Sequence, residues 1–213
     1  IKNSRNIKKI YTEHNTHNKR RNLKILRIFE KYLYGRYDFI ACISKGTKRS
    51  LEKWLKKDFP SHKSRIIYNG SRTFKYSNRC KKNPKKLNIV SIGSLTYQKG
   101  FDIAIRAINI CKYDINQYSI YGEGPEKKKL ESLIKKFKLG NIVKLEGFKS
   151  NLSELDLNAD LGLISSRWEG FGLAATELLS AGIPLIASNV SGLNEILKEC
   201  PAAILVNKIN ENF

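Results

Sequence analysis

Between residues 87 and 206, short β-rich apolar runs alternate regularly with helical patterns, and few folds accommodate such an alternation. The run "LNIVSIG" at 87–93 predicts a buried strand, and "FDIAIRAINIC" at 101–111 follows with apolar residues at a helical period. The same pairing recurs to the end of this part. Strands that alternate with helices predict right-handed βαβ crossovers and an α/β fold with a parallel, doubly wound sheet.

The first 70 residues carry the same alternation less completely. Strand patterns at "KKIYTEH", "FIACIS" and "RIIYNG" are separated by two basic amphipathic helices. Residues 71–86 are polar, basic and without a period, which is typical of a linker. We therefore predict the C-terminal part of one α/β domain at 1–70, a linker at 71–86 and most of a second domain at 87–213. Such a chain is expected to be a segment of a longer polypeptide.

The net charge of +21 is located entirely in the first two-fifths of the chain. Residues 1–86 hold 26 Lys and Arg against 5 Asp and Glu, whereas residues 87–213 hold 14 of each kind. This asymmetry indicates an anionic partner for the first part, either a membrane surface or nucleic acid. A compositional bias towards Lys, Asn and Ile is the alternative explanation, although it does not account for the balanced second part.

Composition also narrows the class of protein. A hydrophobic content of 41% is enough for a globular core. The longest apolar runs are too short to span a bilayer, and no secretory signal pattern opens the sequence, so we expect a cytoplasmic protein. The four cysteines lie far apart without a C-x-x-C pair, which predicts neither a zinc site nor a disulfide framework.

Polar or glycine-rich loops follow four of the predicted strands in the second part. In an open parallel sheet these loops meet at one edge, where ligands bind. The segment "GEGP" after the second strand matches half of a dinucleotide fingerprint, but position 127 is lysine rather than the third glycine. There is also no G-x-x-x-x-G-K-S/T sequence for a nucleoside triphosphate. A nicotinamide enzyme is therefore not expected. The glycines of this segment would still let some ligand approach the backbone closely.

Two carboxylates occur in the apolar stretch "SSRWEGFGLAATELLSAGIPLIAS" at 165–188. Glu169 precedes a predicted helix from Gly172 to Ala181, whose N-terminal N–H groups suit a phosphate or sugar oxygens. Glu177 lies inside that helix, and a rise of about 1.5 Å per residue separates the two carboxylates by roughly 10 Å. A glycosidase-like pair needs about 5 to 9.5 Å. We therefore interpret them as contacts to two ends of one long ligand.

Several motifs in order resemble the retaining nucleotide-sugar glycosyltransferases of family 4, which have the GT-B fold of two Rossmann-like domains. The segments are "IVSIGSLTYQKGFDIAIRA", the G-x-G-P helix with "VKLEGF", the E-x7-E signature from Glu169 to Glu177, and "VSGLNEIL". Residues 87–206 carry most of the resemblance. "TEHN", "DFIACIS" and "IIYNG" match more loosely, and the N-terminal domain is expected to be incomplete.

The resemblance implies a role for each matching residue. Glu169 is expected to contact the donor sugar, and His14 to line the reaction centre opposite it. Lys99 would neutralise the diphosphate leaving group, and Glu177 would bind the ribose. The remaining nucleotide-sugar-binding residues are expected to be Gly93, Ser94, Gly122, Gly147, Phe148, Gly170, Phe171, Gly172 and Leu173.

The resemblance implies that the chain transfers a hexose or N-acetylhexosamine with retention from a UDP-sugar to a glycan or lipid-linked acceptor of a surface polysaccharide. It also implies that no metal or other cofactor takes part. Ser94 stands where the family often has arginine, so donor binding would depend more on Lys99. The basic residues of 1–86 would face an anionic membrane, at its inner side. Two alternatives stay open. One is an inactive truncated remnant. The other is a basic nucleic-acid-binding module, although the sequence has no reader motif and its aromatic residues have the spacing of a core, namely Tyr32, Tyr34, Tyr37 and Phe39.

Overall fold

A computed structural model describes residues 7–76 and 85–207, and it contains two parallel sheets. The smaller sheet has the order β1-β2-β3 and holds the first part of the chain. Its elements in sequence are β1 (Ile10–Glu13), α1 (Leu26–Gly35), β2 (Phe39–Cys42), α2 (Lys45–Leu55) and β3 (Ser64–Ile66).

The core of this first part forms between β2 and its two helices. Ser44 and Thr47 make a reciprocal capping box that starts α2, because each side chain accepts from the other's backbone N–H. Leu51 and Leu55 on that helix and Ile40 on β2 are fully buried. Tyr34 of α1 packs against them. The predicted alternation is therefore confirmed here, with α1 starting three residues later than the pattern "LKILRIFEKYLYG" indicated.

The second sheet has six parallel strands in the order β6-β5-β4-β7-β8-β9. The direction of the order reverses between β4 and β7, which leaves a crevice at their carboxyl ends. The predicted doubly wound sheet is confirmed. Its elements are β4 (Leu87–Ile92), α3 (Phe101–Ile110), β5 (Ile115–Tyr121), α4 (Lys127–Lys136), β6 (Val143–Gly147), β7 (Leu161–Ile164), α5 (Leu173–Ser180), β8 (Leu185–Ser188), α6 (Ser191–Leu197) and β9 (Ala203–Val206).

Two buried clusters cover the two faces of this sheet. One includes Ile105 of α3 and Leu130 of α4, and the other includes Leu178 of α5 and Leu193 of α6. Leu130 is buried as the helical period predicted. The prediction that α4 opens at Pro125 is wrong by two residues, because Pro125 lies in the turn before the helix.

The predicted linker packs partly against the second domain. Phe74 is 5% exposed within the core of that domain, and its N–H donates to Ser180 Oγ at 2.9 Å. The Tyr76 ring lies over Gly182, where an added Cβ would be 2.4 Å from it. Residues 77–84 and 208–213 lie outside the described residues, so the domain boundaries stay a prediction.

Helix α1 presents apolar side chains to solvent as well as to the core. Tyr34 is buried as its spacing predicted, whereas Tyr32 is 63% exposed, so its assignment to the core is wrong. The helix turns Tyr32 to the side opposite Tyr34. No helix in residues 7–76 and 85–207 is long and apolar enough to cross a membrane. The exposed large apolar residues of this region are Leu23, Ile25, Ile28, Phe29, Tyr32 and Leu33.

Candidate functional site

The four predicted loops meet where β4, β5, β6 and β7 end. Gly93 follows β4 and Gly122 follows β5, and their backbones touch: a Cβ at Gly122 would lie 2.0 Å from the carbonyl oxygen of Gly93. The Gly122 N–H donates to the Gly147 carbonyl at 2.9 Å, which joins the third loop. Only glycine permits this close approach. The three loops therefore form one floor.

A cavity of about 450 Å³ opens above this floor. Phe148 stands at its rim with 71% of its surface exposed, and Tyr121 is half-buried at its base. Burial raises the pKa of Tyr121, and the nearby Glu146 carboxylate adds to that rise, so the phenol stays protonated. A mostly apolar pocket with two aromatic rings suits a flat ligand such as a nucleobase. The lining residues are Ile92, Gly93, Ser94, Tyr121, Gly122, Glu123, Phe148, Lys149 and Leu152.

Lys99 and Glu169 form an ion pair beside the cavity. The Lys99 Nζ lies 2.5 Å from Glu169 Oε1, and Ser166 Oγ donates to the same oxygen at 2.8 Å. The alkyl chain of Lys99 crosses Gly93, where an added Cβ would lie 3.3 Å from Lys99 Cε. The two residues that were predicted to act on the donor are therefore adjacent, although 70 positions separate them in sequence.

The loop of Glu169 is fixed to the loop of Lys99 by contacts that the sequence reasoning missed. Arg167 makes two hydrogen bonds to Asp102, at 2.9 and 2.8 Å, and its guanidinium lies 3.9 Å from the Tyr97 ring centre. The Arg167 guanidinium lowers the pKa of Asp102 against the opposing effect of burial. Ser165 Oγ donates to the Lys99 carbonyl at 2.9 Å. No local pattern predicts such pairs, because their members lie about 65 residues apart.

The loop before α5 packs tightly against the first part of the chain. A Cβ at Gly170 would lie 2.2 Å from the His14 carbonyl oxygen, and the His14 side chain is exposed beside it. Gly172 has φ +101° and is the N-terminal cap of α5. Phe171 is buried, whereas Leu173 in the first turn is 40% exposed. The predicted helix from Gly172 to Ala181 is confirmed as α5, with Gly172 as its N-terminal cap and Ala181 as its C-terminal cap.

Glu177 lies half-buried on α5. Burial raises its pKa, while the positive charges of Arg72 and Lys99 oppose that rise. Arg72, which the sequence reasoning placed in a featureless linker, is thus part of the electrostatic environment of the site. Within residues 7–76 and 85–207, no three His, Cys, Asp or Glu side chains are grouped as a metal ion would need.

Solved structures with this fold include a crystal structure of Anabaena HepE in complex with UDP and glucose. It superposes with a TM-score of 0.79 at 20% identity, covering 93% of this chain and 57% of that one. The structure of TarM also has a TM-score of 0.79, at 18% identity, covering 96% of this chain and 41% of that one. The likeness confirms the predicted GT-B fold.

Curated relatives of similar sequence are named as glycosyltransferases. An uncharacterized glycosyltransferase of Methanocaldococcus jannaschii is 33% identical over 190 residues, covering 87% of this chain and 50% of the relative. The O-antigen biosynthesis glycosyltransferase WclY of Escherichia coli is 34% identical over 152 residues, covering 66% of this chain and 41% of the relative. The chain thus spans about half the length of the curated relatives it matches.

Two family descriptions match along the sequence. Residues 1–73 match the family described as "Glycosyltransferase Family 4". Residues 73–211, which include the Lys99–Glu169 pair and the cavity, match the family described as "Glycosyl transferases group 1". The chain therefore belongs to the glycosyl transferases of group 1.

Proposed function

We propose that the protein transfers a hexosyl or N-acetylhexosaminyl group from a UDP-sugar to a glycan or lipid-linked acceptor in polysaccharide synthesis. The observation that carries this proposal is the Lys99–Glu169 ion pair beside the cavity at the sheet switch point. HepE, a structural neighbour, was solved with UDP and glucose, and WclY acts in O-antigen biosynthesis. These relatives support the donor class and the type of product.

In the proposed complex, the donor extends from the rim of the cavity to the Lys99–Glu169 pair. The base lies in the cavity against Phe148, the ribose hydroxyls contact Glu177, and the diphosphate lies between Lys99 and the first N–H groups of α5. Glu169 then faces the sugar hydroxyls. This order places the cation at the leaving group, where negative charge grows as the bond to the sugar breaks.

In the proposed reaction the bond between the anomeric carbon and the diphosphate oxygen breaks, and its electron pair leaves with UDP. The acceptor hydroxyl oxygen forms the new bond on the same face, and its proton passes to the departing phosphate. Lys99 and the α5 N–H groups balance the charge of UDP, so we propose that no metal or other cofactor takes part. EDTA is then expected to leave UDP binding unchanged. Retention predicts that the product keeps the anomeric configuration of the donor, which NMR of the product determines.

Isothermal titration of the protein with UDP tests the donor site. We expect binding, and Glu177→Ala should weaken it about ten-fold, the order of a lost charged hydrogen bond. Glu131→Ala, which removes an exposed carboxylate on α4, serves as the matched control. The proposal fails if folded protein binds no UDP or if both variants bind it equally well.

We also propose that the first part of the chain lies on the inner, cytoplasmic face of an anionic membrane. Its excess positive charge is joined on α1 by an exposed apolar face, in which Ile28 is 67% and Phe29 64% exposed. Basic residues beside apolar ones favour the interface of an anionic bilayer. Together these properties support lipid more than nucleic acid.

Co-sedimentation with vesicles tests this partner. Phosphatidylglycerol vesicles should bind the protein and phosphatidylcholine vesicles should not. Substitution of Ile28 and Phe29 by serine should reduce binding, whereas Ile110→Ser, at a residue 81% exposed in the second domain, should not. Salt-sensitive RNA binding without any binding to vesicles would favour the nucleic-acid alternative.

A further inference from the structure

A buried ion pair lies directly behind the loop that carries His14. Glu13, the last residue of β1, is 1% exposed and lies 2.7 Å from Arg21, whose side chain is 10% exposed. The loop of residues 14–18 runs between these two partners. Neither charge was singled out by the sequence, because each looks like one more polar residue in a basic segment.

Both oxygens of the Glu13 carboxylate accept hydrogen bonds. Its Oε2 accepts from Arg21 and from the Tyr34 hydroxyl at 2.9 Å, and its Oε1 accepts from the Asn15 N–H at 3.0 Å. Burial and the negative charge of Glu13 both raise the pKa of Tyr34, so that hydroxyl stays a donor. The backbone N–H of Asn15, directly after His14, is therefore held by Glu13.

Arg21 extends this network across the cleft. Its Nη1 donates to Ser50 Oγ at 2.9 Å, and Ser50 Oγ donates to the Thr16 carbonyl at 2.7 Å. The Thr16 hydroxyl in turn donates to the backbone oxygen of Glu169 at 3.0 Å. A continuous path of hydrogen bonds thus joins Glu13 to the loop of the candidate sugar-contacting carboxylate.

Stability alone is a weak explanation for this pair. Burying two charges is costly, and apolar replacements of similar volume often serve a core as well. The Arg21 Nε, moreover, is buried without a hydrogen-bond partner among the described residues. The guanidinium is oriented towards Glu13 and Ser50 although this leaves its buried Nε donor unsatisfied, which is the arrangement expected if those two contacts define the loop.

We propose that Glu13 and Arg21 are positioning residues that hold the His14 loop against the Glu169 loop. Through Ser50 and Thr16 they fix the separation of the two sides of the cleft. This inference rests on the proposed function for its catalytic consequence, because displacements near 1 Å in a reacting geometry lower a rate by up to about 10²-fold.

Trp168 reports the position of the loop without any nucleotide. The His17 ring covers it with 5.0 Å between ring centres, and the chain has 2 tryptophans, so Trp54→Phe leaves Trp168 as the sole emitter. In this background, Glu13→Gln and Thr16→Ala should each raise the acrylamide quenching constant of Trp168 towards the value of His17→Ala. Thr16→Ser keeps the hydroxyl and should retain the parent value.

The double variant of Glu13→Gln and Thr16→Ala should show no further rise, because both changes cut one path. Turnover of UDP-glucose or UDP-N-acetylglucosamine should fall about ten-fold or more in either single variant, while the UDP dissociation constant changes less than about two-fold. Failure of the parent protein to bind UDP would contradict the proposed function and leave the quenching result intact.

The inference is overturned if folded Glu13→Gln, checked by circular dichroism, keeps the parent quenching constant. If Glu13→Gln does not fold, Thr16→Ala decides, since it removes only the last bond of the path. An unchanged constant in Thr16→Ala then overturns the inference, and a raised constant that Thr16→Ser restores supports it.

Discussion

Glu169 depends on Lys99 for the balance of its buried charge. Its side chain is 8% exposed, and Lys99 and Ser166 both donate to one of its oxygens. We predict that Lys99→Met lowers the free energy of unfolding by roughly 3 kcal/mol, near the lower end for a broken buried pair because the lysine side chain keeps some contact with water. Urea unfolding followed by circular dichroism measures this change.

The double variant of Lys99→Met and Glu169→Gln separates charge from packing. Neutralising the carboxylate should recover at least about 1 kcal/mol of the loss, because no unpaired charge is then left inside. Additive losses in the double variant would show that Glu169 has enough contact with water to stay charged without Lys99.

Glu177 is expected to destabilise the folded protein when it is ionised. Burial raises its pKa above 4.5, so its ionised form costs more in the folded than in the unfolded state. The resulting destabilisation is fully present above the folded pKa and vanishes as the pH falls below 4.5. Glu177→Gln should therefore raise the free energy of unfolding at neutral pH, by less than about 1 kcal/mol because the group is partly exposed.

Urea titrations of both proteins across this pH range measure the difference. The gain of Glu177→Gln should shrink as the pH falls through the folded pKa. A gain that grows in acid would mean that the carboxylate is stabilised by Arg72 and Lys99 more than it is penalised by burial.

At the scale of elements, the period of apolar residues predicted most of the second domain. Leu130 and Ile105 lie on the buried faces that their spacing indicated. The start of α4 was less predictable, because Pro125 is compatible with both a helix start and a turn. Tyr32 and Tyr34 illustrate the remaining limit: a period of 3.6 assigns residues to two sides of a helix, but it does not say which apolar side is covered.

The junction between the His14 loop and α5 is a matter of backbone contact. A Cβ at Gly170 would overlap the His14 carbonyl, and backbone cannot give way as a flexible side chain can. Gly170→Ala should therefore move the two loops apart and lower UDP-sugar turnover by about ten-fold or more. Gly140→Ala, at a site with open space within 4 Å, is the matched control and should have no effect. Equal turnover in both variants would mean that the loops are not in contact during the reaction.

The packing of the first part of the chain against the second domain was the hardest feature to predict from the sequence. Motif order placed Lys99, Glu169 and Glu177 in one site, because family likeness carries that information. It put His14 opposite Glu169, but it gave no role to Glu13 or Arg21 and predicted none of the hydrogen bonds across the cleft, whose partners lie up to 153 residues apart. Such contacts follow from the assembled fold, in which helix ends of one half meet side chains of the other.

Glu195 of α6 makes one of these contacts at the start of α2. Its carboxylate accepts from the N–H groups of Lys45 at 2.8 Å and Gly46 at 3.3 Å, both of which lack partners inside their helix. Its hydrogen bond with Tyr68 raises the pKa of that phenol. The second domain thus supplies acceptors to a helix of the first.

Hydrogen exchange by NMR tests whether this contact keeps the halves together in solution. Glu195→Ala should speed exchange of the Lys45 and Gly46 amides about ten-fold or more, the order expected when a charged hydrogen bond is lost. The Thr47 amide, which donates to Ser44 Oγ at 3.0 Å within the first half, should change much less. Glu199→Ala removes a nearby exposed carboxylate that makes no hydrogen bond to the described part of the first half, and it should leave all three amides unaffected. If the Lys45 and Gly46 amides exchange equally fast with and without Glu195, the hydrogen bonds from α2 to Glu195 do not persist in solution, and the two parts of the chain are then held together by their other contacts, such as the bond from the Thr16 hydroxyl to the Glu169 carbonyl.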